Sequence, residues 1–536
     1  MTKRDWRYYR ARSRARARHR ERSQPRNASE AVEWLLRERL GRRGFPASLE
    51  AEAGRFADAL EEDPKPRRDL TALPTFTVDP ATARDFDDAV SAQREGDSIR
   101  LWVHIADVAA HVPPGSQLDS EAKRRANSTY VPGAVEPMLP HALSEGACSL
   151  APGAERLTVT AEIELGPAGK PLATSFYRSR IRSDARLDYD ELDRIFDGRS
   201  TPPEQVAEPL VAARQAAATL GERQGATSLD VESFEPEFRF DSSGDVIAAR
   251  AVEQTESHRL IERLMVLTNE QVAQTLERKR VPTVYRVHPQ PDPRQIERLI
   301  AQLGSLGIPT PAVREMLAPS QAGEVAIEAS RLVRQEVARR GHGREAYTSL
   351  VLRSLKQAQY SERNSGHAGL GSPAYCHFTS PIRRYPDLVV HRALLAVLGE
   401  GEQAPGASEA REVAWHCSEQ ERESMRIERE GDDICAAFLL GRELQERGEE
   451  AEFEGEVSGV VRSGAFVSFG GELGDVYEGF VPARLLGAER FELNEAETAL
   501  EASGAGGTLR LGDPISVRVT AVNAPRGRVD LVPAHG

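Results

Sequence analysis

At 536 residues the chain is too long for a single core of ordinary size, so two to four domains are expected, and its 40% apolar residues suffice to fill them. A formal net charge of -13 excludes a uniformly basic, histone-like coat, but it does not exclude a nucleic-acid partner, because a bulk sum hides local asymmetry. No stretch approaches membrane-spanning length, no apolar segment follows the basic start, and the four cysteines form no CxxC pair; a membrane partner, a zinc site and a disulfide framework are not expected, and a reducing cytoplasm is.

In chain order, residues 1–26 carry Lys3, Arg4, Arg7 and a run of arginines to Arg26 against only Asp5 and Glu21. Such a run cannot bury itself and reads as a disordered or RNA-ordered arm, with a merely solubilising tail as the alternative. Residues 27–70 predict two helices, the first capped at Asn27 with Val32, Leu35, Leu36 and Leu40 on one stripe, the second reaching Leu60. They form either a small helical nucleic-acid-binding module or a helical cap on the main body. From 71 to 450 no clean linker interrupts alternating strands such as IRLWVHIADV and helices such as ESHRLIERLMVLTNEQVAQTL, which predicts one large α+β domain. Residues 451–536 change to short period-2 strands broken by Gly, Asn and Pro, the pattern of a small barrel. Its aromatics Phe466, Phe469, Tyr477 and Phe480 stand among Arg462, Arg518, Arg526 and Arg528, which suits base stacking with backbone neutralisation and equally suits a barrel core.

The densest chemistry is in TFTVDPATARDFDDAV, where Asp79, Asp85, Asp87 and Asp88 crowd one turn between apolar segments. Like carboxylates tolerate such proximity when hard cations sit among them, and Mg²⁺ favours aspartate oxygens completed by water and phosphate. An acidic surface turn or a structural Ca²⁺ loop are the alternatives, although the spacing lacks the EF-hand cadence. A second segment, YCHFTSPIRRYPDLVVHR, offers Arg383 and Arg384 at a helix start, a phosphate-holding pair only in the company of the aspartates.

TVDPATARDFDDA, NSTYVPGAVEPMLPHALSEGACSL, VYRVHPQPDP, YSERNSGHAGLG and HFTSPIRRYPDLVVHR together resemble the successive signatures of the ribonuclease II / ribonuclease R family over residues 71 to 435, and the terminal barrel resembles an S1 domain. The resemblance implies a multidomain mixed α/β protein: an RNB-type α+β catalytic domain, then a five-stranded OB-fold. It further implies a processive hydrolytic exoribonuclease that degrades single-stranded RNA from its 3′ end to 5′-mononucleotides with Mg²⁺, for which Mn²⁺ substitutes. Carried onto this chain, Asp79, Asp85, Asp87 and Asp88 bind metal and support attack by water, and Arg383 neutralises the scissile phosphate beside Arg384. Tyr130 stacks on the terminal base, Tyr189 positions the 3′ end, and Glu262 and Glu428 lie close to the terminal nucleotides. Where the family supplies a second aromatic, Val231 stands here and Phe234 is the nearest replacement. The usual cold-shock pair is also replaced by the basic arm and helices. No obligate protein partner is implied, and a monomer is expected. The competing classes are a non-catalytic S1-type RNA-binding protein and a metal-dependent phosphoesterase on other nucleic acids; four unneutralised charges beside a phosphate path would serve no pure binder.

Overall fold

The computed structural model describes residues 25–534 apart from 42, 59–65, 225–234, 313–316, 449, 471–475 and 505–506. Its centre is a seven-stranded sheet of β1 (Arg68–Asp69), β2 (Phe76–Asp79), β3 (Asp88–Glu95), β4 (Ser98–Ala106), β5 (Glu155–Leu165), β6 (Pro171–Arg182) and β7 (Ala185–Asp188) in the order β1-β6-β5-β4-β3-β2-β7. The inner strands β2 to β6 form an antiparallel run, whereas β1 and β7 join its edges in parallel. The IRLWVHIADV segment is buried along most of β4, as a strand covered on both faces must be. Helices cover it, including α3 (Tyr189–Phe196), α4 (Ala207–Gln224) and α5 (Glu256–Lys279).

Two further helices follow in the chain. α6 (Tyr385–Leu398) is buried through its first eleven residues, the mark of a helix enclosed by its neighbours; its charges survive because Arg392 pairs with Asp119 at 2.8 Å and His391 Nε2 lies 2.8 Å from the Phe378 carbonyl. α7 (Ala407–Arg447) has 41 residues and so runs about 60 Å. It links the sheet domain to the C-terminal strands.

Those strands, β8 (Glu452–Val461), β9 (Gly464–Phe469), β10 (Tyr477–Pro482), β11 (Pro514–Asn523) and β12 (Arg528–Pro533), pair in the order β8-β9-β10-β12-β11, and β11 returns to β8. Between β10 and β11 the chain builds a separate three-stranded sheet, Phe491–Leu493, Ala499–Ala502 and Thr508–Arg510.

The N-terminal helices, α1 (Ala28–Leu40) and α2 (Ala47–Asp58), do not form a module with a core of its own. Ala28, Ala31, Val32, Leu35 and Leu36 of α1 belong to an apolar cluster shared with α7 and the barrel, whereas Leu49 and Ala53 of α2 belong to the sheet domain's core. Two short helices, the first with an apolar stripe, were legible in sequence; their different partners were not. The basic arm lies outside the described residues except for Pro25 and Arg26. Among the described residues, no helix is long and apolar enough to cross a membrane.

Candidate active site

β2 carries Asp79 to its last position, Pro80 turns the chain, and residues 80–87 loop back so that Asp88 opens β3. The loop is fixed from outside. Ser149 Oγ donates to the Arg84 carbonyl at 2.7 Å and accepts from the Phe86 N-H at 3.1 Å, while Leu150 N donates to the Phe86 carbonyl. From the other flank Arg186 on β7 donates to the carbonyls of Pro80 and Ala81 and lies 5.2 Å from the Phe86 ring. Four adjacent carboxylates therefore stand on a braced loop, with Arg186 supplying countercharge to Asp79.

The second segment meets the first directly. Asp87 Oδ1 accepts the Ile382 N-H at 2.8 Å, and Asp87 Oδ2 lies 3.5 Å from Arg383 Nε. Behind them, Asp387 Oδ1 accepts from both the Ser380 N-H and Arg384 Nη2 at 2.8 Å, which ties the SPIRR turn to the first turn of α6. The paired arginines thus divide their work: Arg384 locks the turn, and Arg383, half-exposed and also bonded to Ser380 Oγ at 3.0 Å, faces the aspartates.

Burial disfavours charge on these carboxylates. It pushes Asp79 up, with Asp88 adding repulsion and Arg186 opposing; it pushes Asp88 up against the pull of Arg383 and Arg384; and it pushes Asp87 well up despite Arg383 and the Ile382 N-H. Asp79 Oδ2 and Asp87 Oδ2 are both buried without a hydrogen-bond partner. Among the described residues no three His, Cys, Asp or Glu side chains converge as a finished ligand set. The orphaned oxygens nonetheless make a hard, anionic donor set of the kind a divalent cation satisfies.

Asp79, Asp85, Asp87, Asp88, Ser380 and Arg383 line one open cavity of about 2250 Å³. Tyr130, Tyr189, Glu262, Arg384 and Glu428 line it too. Tyr130 donates its hydroxyl to Asp85 Oδ2 and its N-H to Glu428 Oε1, each at 2.9 Å. Tyr189 is stacked on His258 with ring centroids 3.9 Å apart. Glu262 is exposed on α5. Phe234 and Val231 lie outside the described residues; the hairpin that follows them, Glu235–Phe240 with Val246–Val252, forms part of the cavity wall through Phe238, Arg239 and Phe240.

The barrel candidates separate. Phe469 is fully buried against Phe453 and Tyr477, and Tyr477 is buried with its hydroxyl on Glu443 of α7 at 2.9 Å. Both are corrected to core residues: they lie on inward-facing positions of β9 and β10, a phase the residue types could not reveal. Phe466 is 38% exposed beside Phe480, and Arg518 is partly exposed with Glu450 as its partner.

Several site residues were missed. Asn269 accepts the Phe378 N-H and donates to Tyr375, holding the segment that leads into SPIRR; an Asn on the buried face of α5 was the available signal. His377 was not among the missed residues, since it belongs to the YCHFTSPIRRYPDLVVHR segment singled out in the sequence; it lines the cavity with Nδ1 2.9 Å from the Tyr360 hydroxyl, and burial keeps it neutral. Ser149 sat inside a quoted motif but gave no sign of bracing the aspartate loop, and neither did Arg186.

Residues 67–400 match the RNB domain family and residues 446–532 the S1 RNA binding domain family. The chain is 33% identical over 506 residues to ribonuclease R of Escherichia coli (strain K12), covering 91% of this chain and 60% of that protein. It is 33% identical over 515 residues to ribonuclease R of Aquifex aeolicus (strain VF5), covering 94% and 70%. Its structure is similar to that of Mycoplasma genitalium RNase R in complex with ribose methylated single-stranded RNA, with a TM-score of 0.86, 28% sequence identity, and coverage of 95% of this chain and 78% of that one.

Proposed function

Because the chain belongs to the RNB-domain family that includes ribonuclease R, we propose that it is a processive exoribonuclease, removing 5′-mononucleotides by hydrolysis from the 3′ end of single-stranded RNA. The observation that carries this reading is the meeting of the aspartate loop with Arg383, 3.5 Å from Asp87 Oδ2, on the wall of a cavity large enough for several nucleotides.

Mg²⁺, or Mn²⁺ in its place, would be held by Asp79, Asp85, Asp87 and Asp88, where it supplies polarisation of the phosphate and an acidified water. Arg383, permanently charged and held by Ser380, aims a preorganised donor at negative charge growing on the phosphate. Tyr130 offers its ring to the terminal base while its hydroxyl engages Asp85, so base position and carboxylate position are set by one side chain. Tyr189, with its ring backed by His258, and Glu262 and Glu428 border the space for the last nucleotides, and Phe234 is the candidate for the opposing aromatic.

In the same reading residues 1–26 are a basic RNA-capturing arm, 27–70 a helical segment, 71–450 the catalytic domain and 451–536 an S1 domain of OB-fold type, a division supported by the two matched ranges. On the barrel, Phe466 is the stacking candidate, and Arg518 can exchange its exposed, weakly held Glu450 partner for phosphate. The chain acts as a monomer in the cytoplasm.

Incubating a labelled RNA oligonucleotide and its DNA counterpart with and without Mg²⁺ tests the reading. Mononucleotides from RNA alone, only with metal, are expected. Equal digestion of DNA would favour a general phosphoesterase, binding without turnover a pure RNA binder, and nucleoside diphosphates would exclude hydrolysis.

A further inference from the structure

The hairpin that carries Tyr130, strands Thr129–Val131 and Ala134–Glu136 joined at Pro132-Gly133, is short, and a two-stranded ribbon of this size does not hold its own position. Its inner strand is clipped to α7. Thr129 Oγ1 lies 2.9 Å from Ser424 Oγ, Tyr130 N donates to Glu428, and Val131 packs against Gly431, where an added Cβ would come within 3.3 Å of it.

The outer strand is held by something else. Glu136 is paired across the ribbon with Thr129, one residue from Tyr130, and is buried. Its carboxylate accepts from Arg43 Nε at 3.1 Å, from the Gly44 N-H at 2.9 Å and from Arg125 Nη1 at 2.7 Å. Arg43 and Gly44 lie in the connection between α1 and α2. Arg125 joins the same knot, lying 3.8 Å over the Phe45 ring and donating to the Gly44 carbonyl. A second contact of the N-terminal segment reaches the other hairpin on the cavity wall: Asn27 Nδ2 donates to the Ser243 carbonyl at 2.8 Å and Ser29 N to the Gly244 carbonyl at 3.1 Å, at the hairpin's tip. The two hairpins then touch each other, with the Phe240 ring 3.2 Å from where a Cβ on Gly133 would stand.

We propose that the N-terminal segment is a working part of the RNA channel: Arg43 is a positioning residue that acts through Glu136 on the hairpin bearing Tyr130. A charge-assisted contact one residue from the ring, on the strand that α7 does not clip, fixes the tilt of the ribbon and so the height of the aromatic platform above the aspartates. The inference rests on the role given to Tyr130 under the proposed function, and its test keeps the two apart.

The test is a double-mutant cycle in the full chain with Arg43→Ala, Tyr130→Ala and both, using a 5′-labelled short oligoribonucleotide. Apparent KM, single-turnover rate and final product length are read, together with amide exchange over residues 129–136. Arg43→Ala should raise KM about threefold to tenfold with the single-turnover rate changed less than about twofold, lengthen the final product, and speed exchange in the hairpin alone. In the Tyr130→Ala background its effect should shrink to less than about twofold. Equal factors in both backgrounds, or unchanged exchange in the hairpin, would overturn the inference while leaving the role of Tyr130 intact. A Tyr130→Ala variant that behaves as the parent would instead remove the platform reading, and an Arg43→Ala effect in that case would act elsewhere and overturn the inference as well. If Arg43→Ala does not fold, Glu136→Gln, which keeps the shape and removes the charge, carries the same test.

Discussion

Two buried carboxylate sites lie on the same sheet and are built to opposite ends. At the end of β4, Asp107 Oδ2 accepts from Arg67 Nη2 at 2.8 Å and Arg178 Nε at 2.9 Å, and Arg178 continues to Glu402 and the Glu400 carbonyl. Burial by itself would raise the Asp107 carboxyl, yet the two guanidiniums reverse that and hold it far below the usual range. At the end of β2 the balance is opposite: Arg186, Arg383 and Arg384 oppose the charge penalty on Asp79, Asp87 and Asp88, yet burial prevails and all three carboxyls are pushed up. A structural site is neutralised by its own chain. A site awaiting a ligand keeps its deficit, and here the deficit is positive charge.

The sharpest way to break this comparison is to remove one charge from each site. Asp87→Asn keeps an oxygen for the Ile382 N-H, so the fold should survive while single-turnover cleavage falls by about 10³-fold or more and RNA affinity holds or tightens. Parallel loss of affinity and rate would show Asp87 to be a folding element. Asp107→Asn should do the reverse, lowering stability by about 3 to 5 kcal/mol in urea denaturation by removing the buried countercharge that Arg67 and Arg178 share, while the folded fraction cleaves at the parental rate.

Next in size, Arg383→Ala should slow turnover by roughly 2 to 4 kcal/mol with little change in the urea midpoint, since the side chain is 43% exposed. A large loss of stability would place Arg383 with Arg178 as a structural cation. Tyr130→Ala should cost about 1 to 3 kcal/mol of terminal-base stacking and change final product length. Tyr130→Phe removes only the bond to Asp85, so it should cost about 1 kcal/mol and leave product length as it was.

The smallest effect is on pH dependence. Asp79 and Asp88 hold their protons more tightly in the folded chain than in the unfolded one, so the folded state binds more protons between the two values. Metal-free protein should therefore lose stability as pH rises from the ordinary carboxylate range towards neutrality, and added Mg²⁺ should restore more at the upper end. Urea midpoints across that range decide it. A metal-free protein that gained stability with rising pH would mean that the site is already neutralised from within.

Much of this was legible along the chain. Clustered aspartates, an adjacent arginine pair and a buried helix after SPIRR are local patterns whose chemistry follows from residue type, and the strands and helices of the sheet domain follow from apolar period. The phase of a barrel strand was not legible, so Phe466 and Phe469, three residues apart with opposite fates, read alike. Nor were the partners that decide which charges are neutralised. Asp87 and Asp107 are both aspartates at the ends of apolar strands; Arg178 and Arg67 reach one across 71 and 40 residues, and Ile382 and Arg383 reach the other across nearly 300. The sequence by itself determined which groups are present and the elements that carry them, because propensity and period act over a few residues. Only the tertiary structure decided which carboxylates are paired, and that the connection between α1 and α2 contacts Glu136 on the hairpin bearing Tyr130, because contact and burial depend on chain segments that no local pattern relates.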